Sequence, residues 1–351
     1  MTSLTQTAIT TRKIIRYGIF AVVAIIIARM VIIAGIKVYK KVFPPPPAPP
    51  TVTFGKLPKI TFPTSNSLQN VTFTLETADG EFPKLTTQAK VFFMPQPSSN
   101  LLSLSTAKEK AGGMGFNQEG QEISQTTYRF PHRTAPATLE MNIISGTFSI
   151  GYDLVTDPSP LKERAPIPEI AASAVRSFLS TANILPADLT GPTTHEFIKL
   201  QDGKLVAALS LSEANIVKVN LFRKNYDNLS VLTPNPNTAN VWFYISGIKG
   251  DGKEIIAGEF HYFPVDETQS STYPIISTDN AWSELSKQQV YIARTGPHKE
   301  GDNIKIRKIY LAYYDPNEVS EFLQPIIVLD EGTENGFMAY IPAVTSDYYG
   351  E

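Results

Sequence analysis

The residues best suited to acid–base or metal chemistry are four histidines, His132, His195, His261 and His298, and they stand far apart in the chain. None falls in HExxH or a comparable ligand spacing. His261 lies in the alternating stretch Glu259-Phe-His-Tyr-Phe263, where a histidine on a strand face is expected to serve structure. Cysteine is absent, which excludes disulfides, thiolate zinc sites and a cysteine nucleophile. There is no GxSxG elbow and no phosphate-cradling glycine loop. Gly112, Gly113 and Gly115 follow a helix-like stretch, a placement that suits a helix end. Asp330, Glu331 and Glu334 crowd one hairpin turn and could offer oxygens to calcium, but the D-x-[DN]-x-[DN]-G spacing is missing. Solvated turn charges are the expectation there. The sequence therefore predicts no catalytic, cofactor-binding or metal site and no enzyme, with no cofactor.

What organises the chain is the run from Lys13 to Lys41, apolar from Tyr17 to Ile36 except for Arg29. About twenty residues at about 1.5 Å each match the roughly 30 Å hydrocarbon thickness of a bilayer. A cleaved leader would need a shorter apolar core and a small-x-small site, and neither is present, so a retained transmembrane helix is predicted. Arg29 is the anomaly, because a cation near the bilayer centre costs about 2.5–3.5 kcal/mol. Two readings stand: a polar contact with a partner helix, or snorkelling to the nearer interface.

Orientation is weakly encoded. Arg12, Lys13 and Arg16 precede the helix, and Lys37, Lys40 and Lys41 follow it. Charged residues make up 18% of the chain and the formal net charge is −2, so there is no basic field to hold nucleic acid. With 42% hydrophobic residues the remainder can build real cores. A short cytoplasmic tail and an extracytoplasmic body are expected.

The segments that would position any site follow in order. Phe43 to Pro50, FPPPPAPP, predicts a polyproline II rod of about 20 Å. A PxxP ligand is its alternative and would require a cytoplasmic location. Beyond it an order recurs: a helix-like stretch with alanines one turn apart, then strands ending in an aromatic run. Ala107 and Ala111 mark the first helix, and the strands Gln125–Phe130 and Leu139–Ile150 follow. Ile170, Ala174 and Phe178 mark the second, with strands Ala214–Phe222, Ala239–Ile248 and Glu254–Phe263. The third carries Ala281, Trp282 and Leu285 behind a Ser277 or Thr278 cap, with strands Ile304–Tyr313, Leu323–Leu329 and Gly336–Ile341. The expected fold is α+β, an N-terminal transmembrane helix followed by tandem helix-plus-antiparallel-sheet modules. The predicted divisions are a 1–13 tail, 14–41 helix and flanks, 42–51 linker, modules over 52–160, 161–266 and 267–345, and a 346–351 tail.

The strings IRKIYLAYYDPN, FLQPIIVLD and GFMAYIPAV make residues 273–345 resemble the membrane-distal unit of the YycH/YycI-like regulatory proteins and, more broadly, PepSY-type modules. The resemblance implies one transmembrane helix, tandem extracytoplasmic modules and a role as accessory regulator of a membrane sensor kinase. It carries over no functional residue. The leading expectation is thus a single-pass, bilayer-anchored protein that binds a protein partner, with Arg29 as the one nameable contact. An envelope scaffold or spacer without signalling is the alternative, and a tethered hydrolase with an unrecognised site is the third.

Overall fold

The computed structural model describes residues 3–42, 48–64, 68 and 70–350. The chain divides into two units, Met1–Pro49 and Pro50–Glu351. The first is one helix, α1 (Ser3–Val42). It has no proline, and its stretch Ile14–Tyr39 is long and apolar enough to cross a membrane, with every side chain of that stretch exposed. An amphipathic helix would show one apolar stripe, whereas this one is apolar all round. It stops before the run beginning at Pro44, whose rings cannot continue a helix. The Phe43–Pro47 part of the predicted proline rod lies outside the described residues.

The second unit is α+β. In chain order its elements are β1 (Thr72–Leu75), β2 (Gln88–Phe93), α2 (Ser103–Gly113), β3 (Gln121–Glu122), β4 (Thr127–Pro131), β5 (Ala137–Asn142), β6 (Phe148–Tyr152) and α3 (Pro168–Thr181). Next come β7 (Thr193–Gln201), β8 (Lys204–Ala207), β9 (Ile216–Leu221), β10 (Val231–Leu232), β11 (Val241–Ser246), β12 (Ile255–Phe260) and β13 (Asp266–Pro274). Then α4 (Thr278–Ser286), β14 (Tyr291–Arg294), β15 (Asn303–Ile306), β16 (Lys308–Tyr314), β17 (Phe322–Asp330) and β18 (Met338–Pro342) complete it.

A nine-stranded antiparallel sheet runs β3-β4-β5-β6-β12-β11-β9-β7-β8. Alternation in its strands turns Leu139, Ile150, Val219 and Phe243 to one face, where Ala107 and Ala111 of α2 and Ala171, Val175 and Leu179 of α3 close the core. A second sheet runs β10-β16-β17-β18-β14, with β2 joining β17 to β13. Ala281 and Leu285 of α4 pack on its one face with Ile309, Leu311, Ile327 and Leu329. Ser277 is the α4 cap, its Oγ accepting from the Asn280 N–H at 3.3 Å, while the Thr278 hydroxyl donates to the Pro83 carbonyl.

The strands recruit partners from across the predicted divisions. Phe148–Gly151 pairs with Ala257–Phe260, so strands from the first and second segments form one sheet. Without that pairing β6 and β12 would each present an open edge. β2, which falls within the predicted 52–160 module, pairs with β13 and the start of β17. Val91 and Phe92 are buried although they point to opposite faces, so this strand needs cover on both sides: Val91 packs in a cluster with Leu57, Tyr273 and Val344, and Phe92 in another with Tyr226, Val231 and Tyr313. The predicted strand Ile304–Tyr313 is two strands, because β15 pairs in parallel with β1 whereas β16 pairs with β17.

Candidate functional site

The four histidines serve separate local structures. His132 accepts at Nδ1 from the N–H groups of Thr134 and Ala135, at 3.3 and 3.1 Å. Burial holds its pKa below the ordinary value, with the Asp251 carboxylate opposing. His195 is exposed on β7 beside Phe197. His261 Nδ1 lies 2.7 Å from Asn317 Oδ1. His298 Nε2 lies 2.8 Å from Glu331 Oε2. Among the described residues no group of three His, Asp or Glu converges as a metal site would need.

The acidic turn organises itself. Asp330 Oδ1 accepts from the Gly332 N–H at 2.7 Å, and Glu331 Oε2 accepts from the Phe337 N–H at 2.9 Å. Burial of Glu331 works against its charge, but the His298 and Phe337 hydrogen bonds hold its pKa below the ordinary carboxylate value. The glycines close α2: the Phe116 N–H reaches the Ala111 carbonyl at 2.9 Å, and Gly115 takes φ +93°. Arg29 lies inside α1 with its side chain exposed.

A different place in the fold collects unsatisfied polarity. Tyr314 ends β16 and Gln324 lies near the start of β17, directly opposite each other across the ladder. Opposed residues share a face about 5 Å apart, and here that face is the one turned away from α4. The segment Leu57–Phe62 crosses it. Gln324 Nε2 donates to the Pro58 carbonyl at 2.9 Å, and the Phe62 ring meets Tyr314 edge-on with centroids 4.8 Å apart. Between this strap and the hairpin loop Pro316–Glu321 lies a cleft of about 360 Å³. Gln96 lines its far end and ties down the loop, its Nε2 donating to the Ser320 carbonyl at 2.9 Å.

Two buried polar atoms on the cleft's lining residues have no protein partner, Gln324 Oε1 and the Tyr314 hydroxyl. Both residues are 3% exposed. Leaving a buried donor or acceptor unmatched costs about 1–3 kcal/mol, and Asp188, Asn220, Tyr313 and Tyr349 each carry such an atom elsewhere in the fold. Burial first, then the neighbouring Tyr291 and Glu318, pushes the Tyr314 pKa above its ordinary value and keeps the hydroxyl protonated.

The large sheet fixes the root of this loop. Arg223, just past β9, is buried and donates from Nε to Asp315 Oδ2 at 2.7 Å, from Nη1 to Asp188 Oδ2 at 2.6 Å and from Nη2 to the Phe263 carbonyl at 2.7 Å. The Tyr226 hydroxyl donates to Asp188 at 2.8 Å, and the guanidinium lies 4.4 Å from the Tyr262 ring centroid. Burial alone would lower the Arg223 pKa, but the Asp315 and Asp188 carboxylates raise it on balance, so the cation persists. Asn240 Nδ2 adds bonds to the carbonyls of Asp315 and Pro316 at 3.0 and 3.2 Å. With the His261–Asn317 contact, these bonds pin residues 315–317 to the large sheet. His261 thus stands behind the loop and outside the cleft lining.

Tyr314 and Gln324 are inconspicuous in the sequence because they sit in the largely apolar strings IRKIYLAYYDPN and FLQPIIVLD. One signal was available: Gln324 is the lone polar residue inside Phe322–Leu329, a run of consecutively apolar strand positions apart from it.

No protein-family model matches the chain. No curated protein matches it either. Among solved structures, the chain is similar to an uncharacterized protein from Eubacterium rectale ATCC 33656, at 11% identity and a TM-score of 0.35, over 76% of this chain and 86% of that one. A similarity of that size transfers no function, and it adds no link to the YycH/YycI-like proteins.

Proposed function

We propose that this chain is a single-pass membrane-anchored binding protein, with α1 in the bilayer and the α+β unit presenting the Tyr314–Gln324 cleft to a partner outside the cytoplasm. The observation that carries the anchor is the exposure of every side chain from Ile14 to Tyr39 on a helix apolar on all sides. In water each large aliphatic side chain left exposed forgoes about 1.5–3 kcal/mol of burial, whereas in lipid the whole cylinder is matched. The cleft supports binding as the body's work, since its floor is built rather than incidental: two opposed strand residues, a strap and a loop pinned from the neighbouring sheet. The resemblance of residues 273–345 points to a membrane sensor kinase as the partner class.

Alkaline carbonate extraction of cell membranes, followed by intact-mass measurement, tests the anchor. The full-length chain is expected in the membrane pellet. A soluble chain lacking α1 would make the helix a cleaved leader and overturn the proposal.

A further inference from the structure

One end of the large sheet is built without charge. Three segments meet there, residues 98–107 leading into α2, the β3–β4 turn at 123–126 and the β5–β6 turn at 143–147, and none contains a charged residue. The Ile143 N–H donates to the Thr126 carbonyl at 2.8 Å, which joins the two turns. The first segment lies against the β5–β6 turn across a hollow of about 140 Å³, on which Lys110 is the one charged residue. The nearest acids in sequence, Glu109 and Glu122, fall outside the three segments and off that hollow. Surfaces suited to water carry charge on about 25–35% of their residues, so this end departs from that pattern.

Aliphatic side chains project from it. Leu101 is fully exposed, Leu102 is 68% exposed and Ile123 48%. Hydrogen bonds fix the leucine turn in place: Asn100 Oδ1 accepts from the Leu102 N–H at 2.8 Å, Ser103 Oγ accepts from the Asn100 N–H at 3.0 Å, and the Ser105 hydroxyl donates to the Leu102 carbonyl at 2.8 Å. Asn142 Oδ1 fixes the β5–β6 turn in the same way, accepting from the Ile144 and Ser145 N–H groups at 2.9 and 3.1 Å. Ala107 and Ala111 hold the inner face of α2 in the core. The two leucines are thus presented outward by an ordered turn, and their cover must come from outside the described chain. Exposed apolar tips rimmed by uncharged polar residues mark a protein or membrane contact.

Charge decides between these. Lys110 stands eight residues beyond Leu102 on α2, about 12 Å at about 1.5 Å per residue. Apolar side chains foremost, hydroxyls and amides around them and a cation behind reproduce the order of a bilayer surface, where an acyl boundary about 5–10 Å deep is followed by phosphate. A chain tethered by α1 meets that surface at the effective concentration of a tether.

We propose that the Leu101–Leu102 turn, with the β3–β4 and β5–β6 turns beside it, docks on a phospholipid bilayer, the leucines entering the acyl boundary and Lys110 standing at the level of the phosphates. The inference rests on the anchor of the reading above for the nearness of lipid, and it does not depend on the cleft.

The test uses the full chain in lipid nanodiscs that contain anionic and nitroxide-labelled phospholipid. The chain has no cysteine, so Ser99→Cys, exposed beside the leucines, carries a single environment-sensitive dye. Lys249→Cys is the control: Phe148 pairs with Phe260 and Gly151 with Ala257, which puts the β11–β12 turn at the opposite end of the sheet. Emission at position 99 is expected to shift to the blue and to be quenched by the nitroxide lipid, with neither effect at position 249. Leu101→Ser with Leu102→Ser is expected to shift the contact toward its open form by roughly tenfold or more for each leucine, and Lys110→Gln by about fivefold; melting curves confirm that these variants remain folded. Equal quenching at both positions, or quenching unchanged in either variant, would overturn the proposal. No quenching at position 99 would also overturn it and leave the leucines to a protein partner. Co-elution of the chain with the discs reads the anchor separately, so failure of the turn to dock is distinguishable from failure of α1 to insert.

Discussion

Replacing Arg223 with methionine removes the cation at the centre of the joint between the two sheets. The side chains of Arg223, Asp188 and Asp315 are only 2%, 8% and 5% exposed, so the variant strands two carboxylates away from water. Breaking a buried ion pair from one side costs about 3–5 kcal/mol, more than the net worth of the intact pair, because the surviving charge is left uncompensated. With a urea slope of about 3 kcal/mol per molar, the midpoint should fall by roughly 1–2 M. The chain has two tryptophans, Trp242 on β11 of the large sheet and Trp282 on α4 against the second, so variants keeping one at a time report each layer by fluorescence. Adding Asp188→Asn and Asp315→Asn to Arg223→Met is expected to recover about half the loss or more, since neutral amides lift most of the desolvation penalty. A loss under about 1 kcal/mol in the single variant, or a triple variant less stable than the single one, would refute the view that this cluster is a buried clasp held together by the Arg223 cation.

The other expected outcomes concern separate features. His132 has a folded pKa below its ordinary 6.5, so the folded state binds fewer protons than the unfolded one as pH falls below that value; its stability term is whole above about 6.5 and declines as pH falls toward the folded pKa. His132→Gln should therefore show a smaller drop in urea midpoint between pH 7.5 and pH 5.0 than the parent, and an equal or larger drop would count against the assignment. A Cβ at Gly191 would stand 2.1 Å from the Arg223 carbonyl oxygen, whereas one at Gly151 meets nothing within 4 Å. Gly191→Ala should cost about 1–3 kcal/mol by denaturation and Gly151→Ala under about 0.5 kcal/mol; equal effects would deny the close approach. Arg29→Leu removes an insertion cost of about 2.5–3.5 kcal/mol, so carbonate-resistant membrane recovery should persist, and its loss would contradict the anchor. Recovery of a co-purifying membrane partner in that variant separates the two readings of Arg29, since a fall indicates a helix contact and no change indicates snorkelling.

Much of the fold was legible because local pattern and tertiary environment agree. The helices at Ala107, Ala174 and Ala281 and the strands around Val219, Phe243 and Ile327 carry their periodicity in plain view. Pairing was not legible. Nothing in Gln88–Phe93 names β13 and β17 as its partners, because register across such sequence distances depends on which edges remain open once the rest has packed. One miss had a usable signal: Asp202-Gly203 turns β7 into β8 with both φ values positive, and an Asp-Gly pair between alternating segments marks a tight hairpin. The cleft escaped for a different reason. Tyr314 and Gln324 become a site only through the strap and the clasp, and Arg223, Asp188 and Asp315 are each unremarkable in a sequence that spreads them over more than a hundred positions.

The orientation of the α+β unit tests the central claim most directly. Because the chain has no cysteine, Lys249→Cys, exposed in the turn between β11 and β12, gives a single site for a membrane-impermeant maleimide on intact cells. Labelling without lysis is the expected result and puts the cleft outside the cytoplasm. Labelling only after lysis would place the unit in the cytoplasm and contradict the proposed function.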